Sequence, residues 1–523
     1  MARVRKDVWG LGPGWNDTLE WYAKAVRTLQ SRPVTDSTSW RFLAAIHGMH
    51  PTVWRQFGVI QASTPLPSAA VQRRFWNQCQ HQSWYFLPWH RGYLSAFETI
   101  VRAAVVAAGG PAEWALPYWN YSDATQANAR TLPDAFDLPT MPDGSANPLR
   151  VERRFGSGTG PIEIDDSFVS LAALQDAVFT GGASDIPPGF GGPETVFHHG
   201  PESDTTNGSL ESLPHNVIHG AIGGVAPGGD PNDWRDFGLM SMPMTAALDP
   251  IFWLHHANID RLWSVWLRDT QRPHKNPVQT TWLDGPADRK FVMPKTNQSE
   301  WTFTARDVLN TTAAPLDYSY EDETPPVIVT RAVRRLTRLG APIAAAGAAR
   351  QREDAVVSNE NTPKLIGASD GAVRVAGATG AEVRLDAAET RTLRDGLSRA
   401  SAAGAANEEP ARVFLKLEGI RGTSDAAIYH VYIDLPDNAD PAEHADRRAG
   451  TVSLFGISAA SDPDGPTAGS GINQVLEITE IVDALHLSGD ALDRLDVRFV
   501  PATPAVAGAN FSIGRLSVFK LGE

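Results

Sequence analysis

The sequence predicts a mainly α-helical N-terminal region followed by an all-β, sandwich-like C-terminal region. Three observations carry this. Apolar residues recur at helical spacing through roughly the first 330 positions, where tryptophan is also frequent. Thr324-Pro325-Pro326 then breaks the pattern, and the alanine- and glycine-rich stretch 340–349 reads as a tether. Beyond about Lys364 the period shortens to alternating apolar runs between turn residues. The expected divisions are 1–325, a flexible linker over 326–362, and a β-rich domain over 363–523.

Taken in order, Asp17 can cap a helix over about 18–30 whose buried face is Tyr22, Ala23, Val26 and Leu29, and Pro33 ends it. A second helix follows Asp36 or Ser37, presents Phe42, Leu43 and Ile46 on one face, and carries His47 near its end. Pro88 suits a helix start; Tyr93, Leu94, Phe97, Ile100, Val101 and Val105 extend the stripe toward Gly109-Gly110, with His90 in the first turn. Asp249-Pro250 signals another start, leading through Phe252, His256, Ile259, Leu262, Trp263 and Trp266. Between Tyr121 and Pro214, frequent Gly, Pro, Asp and Ser predict long ordered loops. Strands are expected at 413–417, 428–435, 451–457, 475–481, 495–500 and 511–521.

Composition narrows the function. The formal charge of −14 argues against a surface made for nucleic acid or anionic lipid. No apolar run is long enough to span a membrane, and no apolar signal segment follows Met1-Ala2-Arg3-Val4-Arg5-Lys6-Asp7, so a cytoplasmic protein is expected. A single cysteine, Cys79, excludes an intramolecular disulfide and a thiolate zinc cluster, leaving 14 histidines as the candidate metal ligands.

Those histidines gather on or beside core helices. His215 and His219 lie four apart in Leu213-Pro214-His215-Asn216-Val217-Ile218-His219-Gly220, a spacing that sets both rings on one face of a turn between a helix-starting proline and a helix-ending glycine. Alone, such a pair is more often a surface or core feature. His81 and His90 lie in Cys79-Gln80-His81-Gln82-Ser83-Trp84-Tyr85-Phe86-Leu87-Pro88-Trp89-His90-Arg91, where a backbone carbonyl could equally satisfy a buried ring. In Asp249-Pro250-Ile251-Phe252-Trp253-Leu254-His255-His256-Ala257-Asn258-Ile259-Asp260-Arg261-Leu262-Trp263, polar groups crowd an otherwise apolar helix and need partners.

In order, over about residues 40–265, these segments resemble the two copper-binding regions of the tyrosinase, catechol oxidase and molluscan haemocyanin superfamily. The resemblance implies a four-helix bundle holding a dicopper site, with His47, His81 and His90 on the first copper and His215, His219 and His256 on the second. It selects His256 over His255, because the second histidine of the pair is the family's ligand. His50 competes with His47, which the resemblance favours because the family's first ligand usually ends an apolar helical run before a small residue, as His47 does. His198 and His199, in a glycine-rich loop, read as structural or exposed. The spacing of Cys79 and His81 matches the thioether of fungal tyrosinases and molluscan haemocyanins, and implies a Cys79–His81 crosslink.

The same resemblance implies an oxidase that uses O₂ to hydroxylate monophenols and to oxidise o-diphenols to o-quinones, with phenols or catechols as substrates. Glu211 and Asn216 match the family's water-holding pair, which would accept the phenol's proton. Phe252, one turn before His256, is expected to pack on that imidazole. Gly220 occupies a position that shapes substrate entry, and its bare backbone suggests an open rim. A catechol oxidase or an o-aminophenol oxidase would carry the same ligands, and a haemocyanin-like oxygen carrier shares both the site and a trailing β domain; a lone unit without tandem copies favours the enzyme. Asp317-Tyr318-Ser319-Tyr320 resembles the Tyr-x-Tyr motif closing the family's catalytic core. The domain beyond it resembles the one that keeps plant and fungal polyphenol oxidases latent. Arg334, Arg335, Arg338, Arg350 and Arg352 are then the expected points of activating proteolysis.

Overall fold

The computed structural model describes residues 2–158, 160–198, 206–270, 274–327, 331–339, 362–401, 410–465 and 467–522. Helices Asp17–Ser31, Trp40–His47, Phe86–Ala107 and Ile251–Leu267 build the centre of the N-terminal region. Local chemistry sets their ends. Asn16, not Asp17, caps the first, accepting from the Leu19 N–H at 3.0 Å. The second begins later than expected because Asp36 folds back onto the Thr38 N–H at 2.8 Å, leaving Ser39 as the cap for Phe42 at 3.1 Å. Helix Phe86–Ala107 starts ahead of Pro88, which falls in the first turn where its missing N–H leaves no bond unmade. Pro250 is the cap position of helix Ile251–Leu267, and Asp249, one residue earlier, accepts from the Ile251 N–H at 3.0 Å. Phe97 and Trp253 stack face to face at 3.4 Å and lock the two longest helices together.

The segment bearing His215 and His219 departs from the expected single turn. Pro214 cannot donate, so the helical ladder breaks and Glu211–Asn216 forms a wide turn, with Leu213 extended at φ −149° and ψ 120°. Regular helix resumes over Val217–Gly223, and Gly224, at φ 64°, ends it rather than Gly220.

A buried polar network ties the bundle to the ends of its own region. Strand β1 (Arg3–Arg5) pairs in parallel with β4 (Tyr318–Tyr320), and β2 (Phe291–Pro294) and β3 (Glu300–Phe303) form a separate small hairpin. Asp260 accepts from Arg91 at 2.5 Å, Tyr318 at 2.5 Å and Tyr320 at 2.6 Å, while Arg5 reaches Glu98 at 2.7 Å and Asp260 at 3.3 Å. Charges this deep are stable only when paired and hydrogen-bonded, and here they are. Arg261 turns outward to Asp322 at 3.2 Å.

The C-terminal region is one antiparallel sheet of β5 (Lys364–Ala368), β6 (Val373–Ala376), β7 (Thr379–Leu385), β8 (Arg412–Gly422), β9 (Ile428–Ile433), β10 (Arg448–Ser453), β11 (Ile472–Glu477), β12 (Arg494–Pro501) and β13 (Asn510–Leu521). Its order is β10-β9-β12-β7-β5-β13-β8-β11, with β6 also on β13. The sheet curls into a barrel-like form: the Gln474 amide of edge strand β11 donates to the Ser453 carbonyl of edge strand β10 at 3.2 Å. Two expected strands stop early. The run 475–481 turns into helix Thr479–Ser488, and 451–457 leaves the sheet after Ser453, where Gly456 takes φ 84°.

Helix Arg331–Arg338 falls where a flexible linker was expected, yet it docks on the C-terminal region. The buried Arg335 side chain binds Asp483 at 2.7 and 3.0 Å and also donates to the Ala411 and Pro410 carbonyls. Arg334 and Arg338 reach Glu480. Of these three arginines only Arg335 is buried, while Arg334 and Arg338 keep 38% and 39% of their side chains exposed; Arg350 and Arg352 lie outside the described residues.

Candidate metal centre

Two buried clusters of potential ligands face each other at the heart of the bundle: His47, Cys79, His81 and His90, and His215, His219, His255 and His256. Within each cluster the ligand atoms lie within 4.8 Å of one another. The clusters are adjacent, since the His90 and His256 rings stack at 4.6 Å. His50 is exposed and belongs to neither. His198 is buried near the Gln80 amide at 3.3 Å and belongs to neither cluster, and His199 lies outside the described residues.

Oxygen acceptors fix which nitrogen four of these rings offer. His47 Nδ1 bonds the Pro243 carbonyl at 2.8 Å, His90 Nδ1 that of Phe86 at 2.8 Å, and His219 Nδ1 that of Met240 at 3.1 Å. His215 Nδ1 bonds Asn216 Oδ1 at 2.8 Å. A carbonyl oxygen can only accept, so each Nδ1 carries the hydrogen and each Nε2 keeps its lone pair for the centre. The Nε2 of His219 lies 3.3 Å from those of both His215 and His256. Nitrogens bound tetrahedrally at about 2.0 Å to one metal ion are about 3.3 Å apart, so this spacing fits a shared cation. Burial lowers the basicity of the rings, bringing His47 to about 4 and His215 to about 3, with His90, His219 and His256 well below their usual value. All are neutral donors near physiological pH. Such a set suits copper, zinc or iron.

The remaining expected site residues cluster around this set. Phe252 is wedged with its ring centre 4.1 Å from His256 and 4.9 Å from His47. Both oxygens of Glu211 accept from the Gln82 N–H at 3.0 Å, and burial, opposed by the N–H groups of Gln82 and Gly208, raises its carboxyl to about 8. Asn216 commits its Oδ1 to His215, leaving its amide nitrogen for another acceptor. Cys79 Sγ stands 3.7 Å from His81 Nδ1 and 3.6 Å from its Nε2, a near-equality that places the sulfur on the plane through the carbon between them. It also lies 3.3 Å from His90 Nε2. His255 turns its Nδ1 to the Tyr121 hydroxyl at 3.1 Å.

The sequence did not disclose what lies over the centre. Phe455, carried on the turn after β10, stacks on the His219 ring at 4.1 Å and 13°, with His81 at 6.0 Å and His215 at 6.1 Å. Ser453 donates to the Asn216 carbonyl at 2.8 Å. Gly220 is no open rim, because a Cβ there would meet Ile428 Cγ1 at 3.1 Å. In sequence, Phe455 looked like one more strand residue; the following Gly456 was the only local sign of a turn.

Residues 37–169 and 190–269 match the common central domain of tyrosinase, and 362–521 match a domain described only as of unknown function (DUF7868). The chain is 32% identical to Tyrosinase HcTyr1 of Hahella sp. (strain CCB-MM4), over 99% of each. It is 24% identical to a chloroplastic polyphenol oxidase of Malus domestica, over 96% of this chain and 76% of that one. Its fold is similar to that of latent apple tyrosinase, with a TM-score of 0.56 at 19% identity over 100% of this chain and 98% of that one.

Proposed function

This chain belongs to the tyrosinase and polyphenol oxidase family and is a copper-dependent enzyme of it; from that premise we propose that it hydroxylates monophenols and oxidises o-diphenols to o-quinones with O₂. His47, His81 and His90 would hold one copper, and His215, His219 and His256 the other. The carrying observation is the convergence of neutral Nε2 lone pairs from rings whose Nδ1 atoms are tied to oxygen acceptors. Two bound coppers would supply the redox chemistry between phenol and O₂.

The protein's own groups do the rest. Phe252 holds the His256 and His47 rings at fixed angles. Glu211, with a carboxyl near 8, can both take and return a proton close to neutral pH. With the Asn216 amide it would hold the water that accepts a monophenol's proton. Oxygen uptake by the copper-loaded chain tests the enzyme: sustained consumption with a catechol is expected. Reversible oxygenation without turnover, in the whole and the shortened protein alike, would assign an oxygen carrier instead.

Cys79 is proposed to join His81 through a thioether. The Sγ–H and the ring C–H between the two nitrogens are lost, the new S–C bond forms, and O₂ takes up the two electrons and two protons as hydrogen peroxide. Intact mass after copper loading should fall by two hydrogens. A thiol that still alkylates after unfolding excludes the bond.

The third element is latency. Phe455 covers the ring face over which a planar phenol would approach His219, which supports reading the C-terminal region as a plug. Because Arg335 is buried against Asp483, a chain ending at Thr330 is a cleaner test than trypsin. Its diphenol turnover should exceed that of the full chain several-fold at equal copper content. Equal turnover would leave the region a structural support.

A further inference from the structure

We propose that Gly220 is the seat of the C-terminal domain: the side chain missing after His219 lets Ile428 dock and so holds Phe455 over the metal centre. This rests on the plug reading and adds what decides whether the plug is in.

Three contacts from the C-terminal region converge on one turn. Ser453 Oγ bonds the Asn216 carbonyl at 2.8 Å, Phe455 stacks on His219 at 4.1 Å, and Ile428 fills the space beside Gly220. A Cβ at position 220 would stand 3.1 Å from Ile428 Cγ1, 3.2 Å from its Cδ1 and 3.4 Å from the Ala426 carbonyl oxygen. The backbone does not require glycine there. Gly220 lies inside helix Val217–Gly223 and is not among the positive-φ positions. A helix interior loses about 1 kcal/mol with glycine in place of alanine, so packing is left to explain the residue.

The contacts are mechanically linked. Ile428 and Ser453 are facing partners in the β9–β10 ladder, and the Leu454 N–H bonds the Ala427 carbonyl at 2.9 Å. Phe455 follows directly. Ile428 and Phe455 are both buried within the core of the helical region rather than that of their own sheet. A wedge between Gly220 and Ile428 therefore pushes on the strand pair that carries Phe455. The alternative, that a bare position 220 widens the substrate entrance, predicts the opposite sign for a larger residue there.

The experiment compares copper-loaded full chains of the parent, Gly220→Ala, Ile428→Ala, the double variant, Ile428→Phe and Phe455→Gly, reading copper content and catechol turnover. Gly220→Ala should raise turnover by about threefold or more, the lower range for coupled contacts, at unchanged copper content. Ile428→Ala should raise it too, and the double variant should fall back toward the parent because the methyl at 220 refills the space. Ile428→Phe, which substitutes no residue of the helical region, should also raise it and decides the matter if Gly220→Ala loses copper. A gain for Phe455→Gly with none for Gly220→Ala or Ile428→Phe overturns the seat and keeps the plug. No gain for Phe455→Gly overturns both.

Discussion

The two halves of the metal centre are walled by different parts of the chain. Around His47 and His90 the walls come from the helical region: the Pro243 and Phe86 carbonyls fix the rings, and Trp89 packs on His90 at 4.7 Å. Around His215 and His219 one wall is borrowed, since Phe455, Ser453 and Ile428 come from the C-terminal region. The scaffolds differ as well. His90 stands on a regular 22-residue helix, whereas His215 sits in a wide turn interrupted at Leu213. The difference teaches that the first half draws its ring contacts from the helical region, while the second half also receives a ring over His219 and a hydrogen bond to the Asn216 carbonyl from a separate domain.

Replacing a ligand in either half gives the largest effect and shows whether the halves are equal in chemistry despite unequal walls. His90→Ala and His256→Ala should each lose one copper by metal analysis and reduce catechol turnover at least about 10³-fold. A large asymmetry between them would break the comparison. Next in size is the proton path. Glu211→Gln should lower monophenol hydroxylation about 10²-fold while changing diphenol oxidation little, as expected for loss of a general base. An unchanged ratio of the two rates removes Glu211 from that role.

A third effect sharpens the independence of the two domains. Asp483→Asn leaves Arg335 buried without its charge partner, a loss of about 3–5 kcal/mol for a pair of this kind. Calorimetry should show the C-terminal region melting earlier, with copper release from the helical region unmoved. The smallest effect concerns Asp425, buried at the base of the Phe455 turn, where it accepts from the Ser458 N–H at 3.2 Å. Burial raises its carboxyl to about 7. The folded state thus binds this proton more tightly than the unfolded chain, so the stabilisation is full below about pH 4 and lost as pH rises through about 7. Between pH 5 and pH 8 the parent should lose a few degrees of melting temperature that Asp425→Asn keeps. Parallel curves for the two would remove Asp425 as the cause.

Much of the helical region was legible because its signals are local. The stripe from Tyr93 to Val105, the helix start at Asp249-Pro250 and the gathering of the histidines each survive in the structure. The β-strands from Arg412 onward were legible for the same reason, up to the positions where a turn or helix cut two of them short. What stayed hidden was non-local. Phe455 and Ile428 read as strand residues until the sheet edge is set against the His219 helix, and Arg335 read as tether until Asp483 is brought to it. Arg5 gave no sign of its bond to Glu98, 93 residues away. Gly220 carried the right signal, a missing side chain, but its neighbour lies in the other domain.

The central claim is that a fully formed metal centre is closed by one ring from another domain. The direct test is Phe455→Gly in the full-length, copper-loaded chain, assayed beside the parent for copper per chain and for the initial rate of catechol oxidation. The account predicts unchanged copper and a rate raised about tenfold, the loss of a plug that holds most molecules closed. Unchanged copper with an unchanged rate would contradict it.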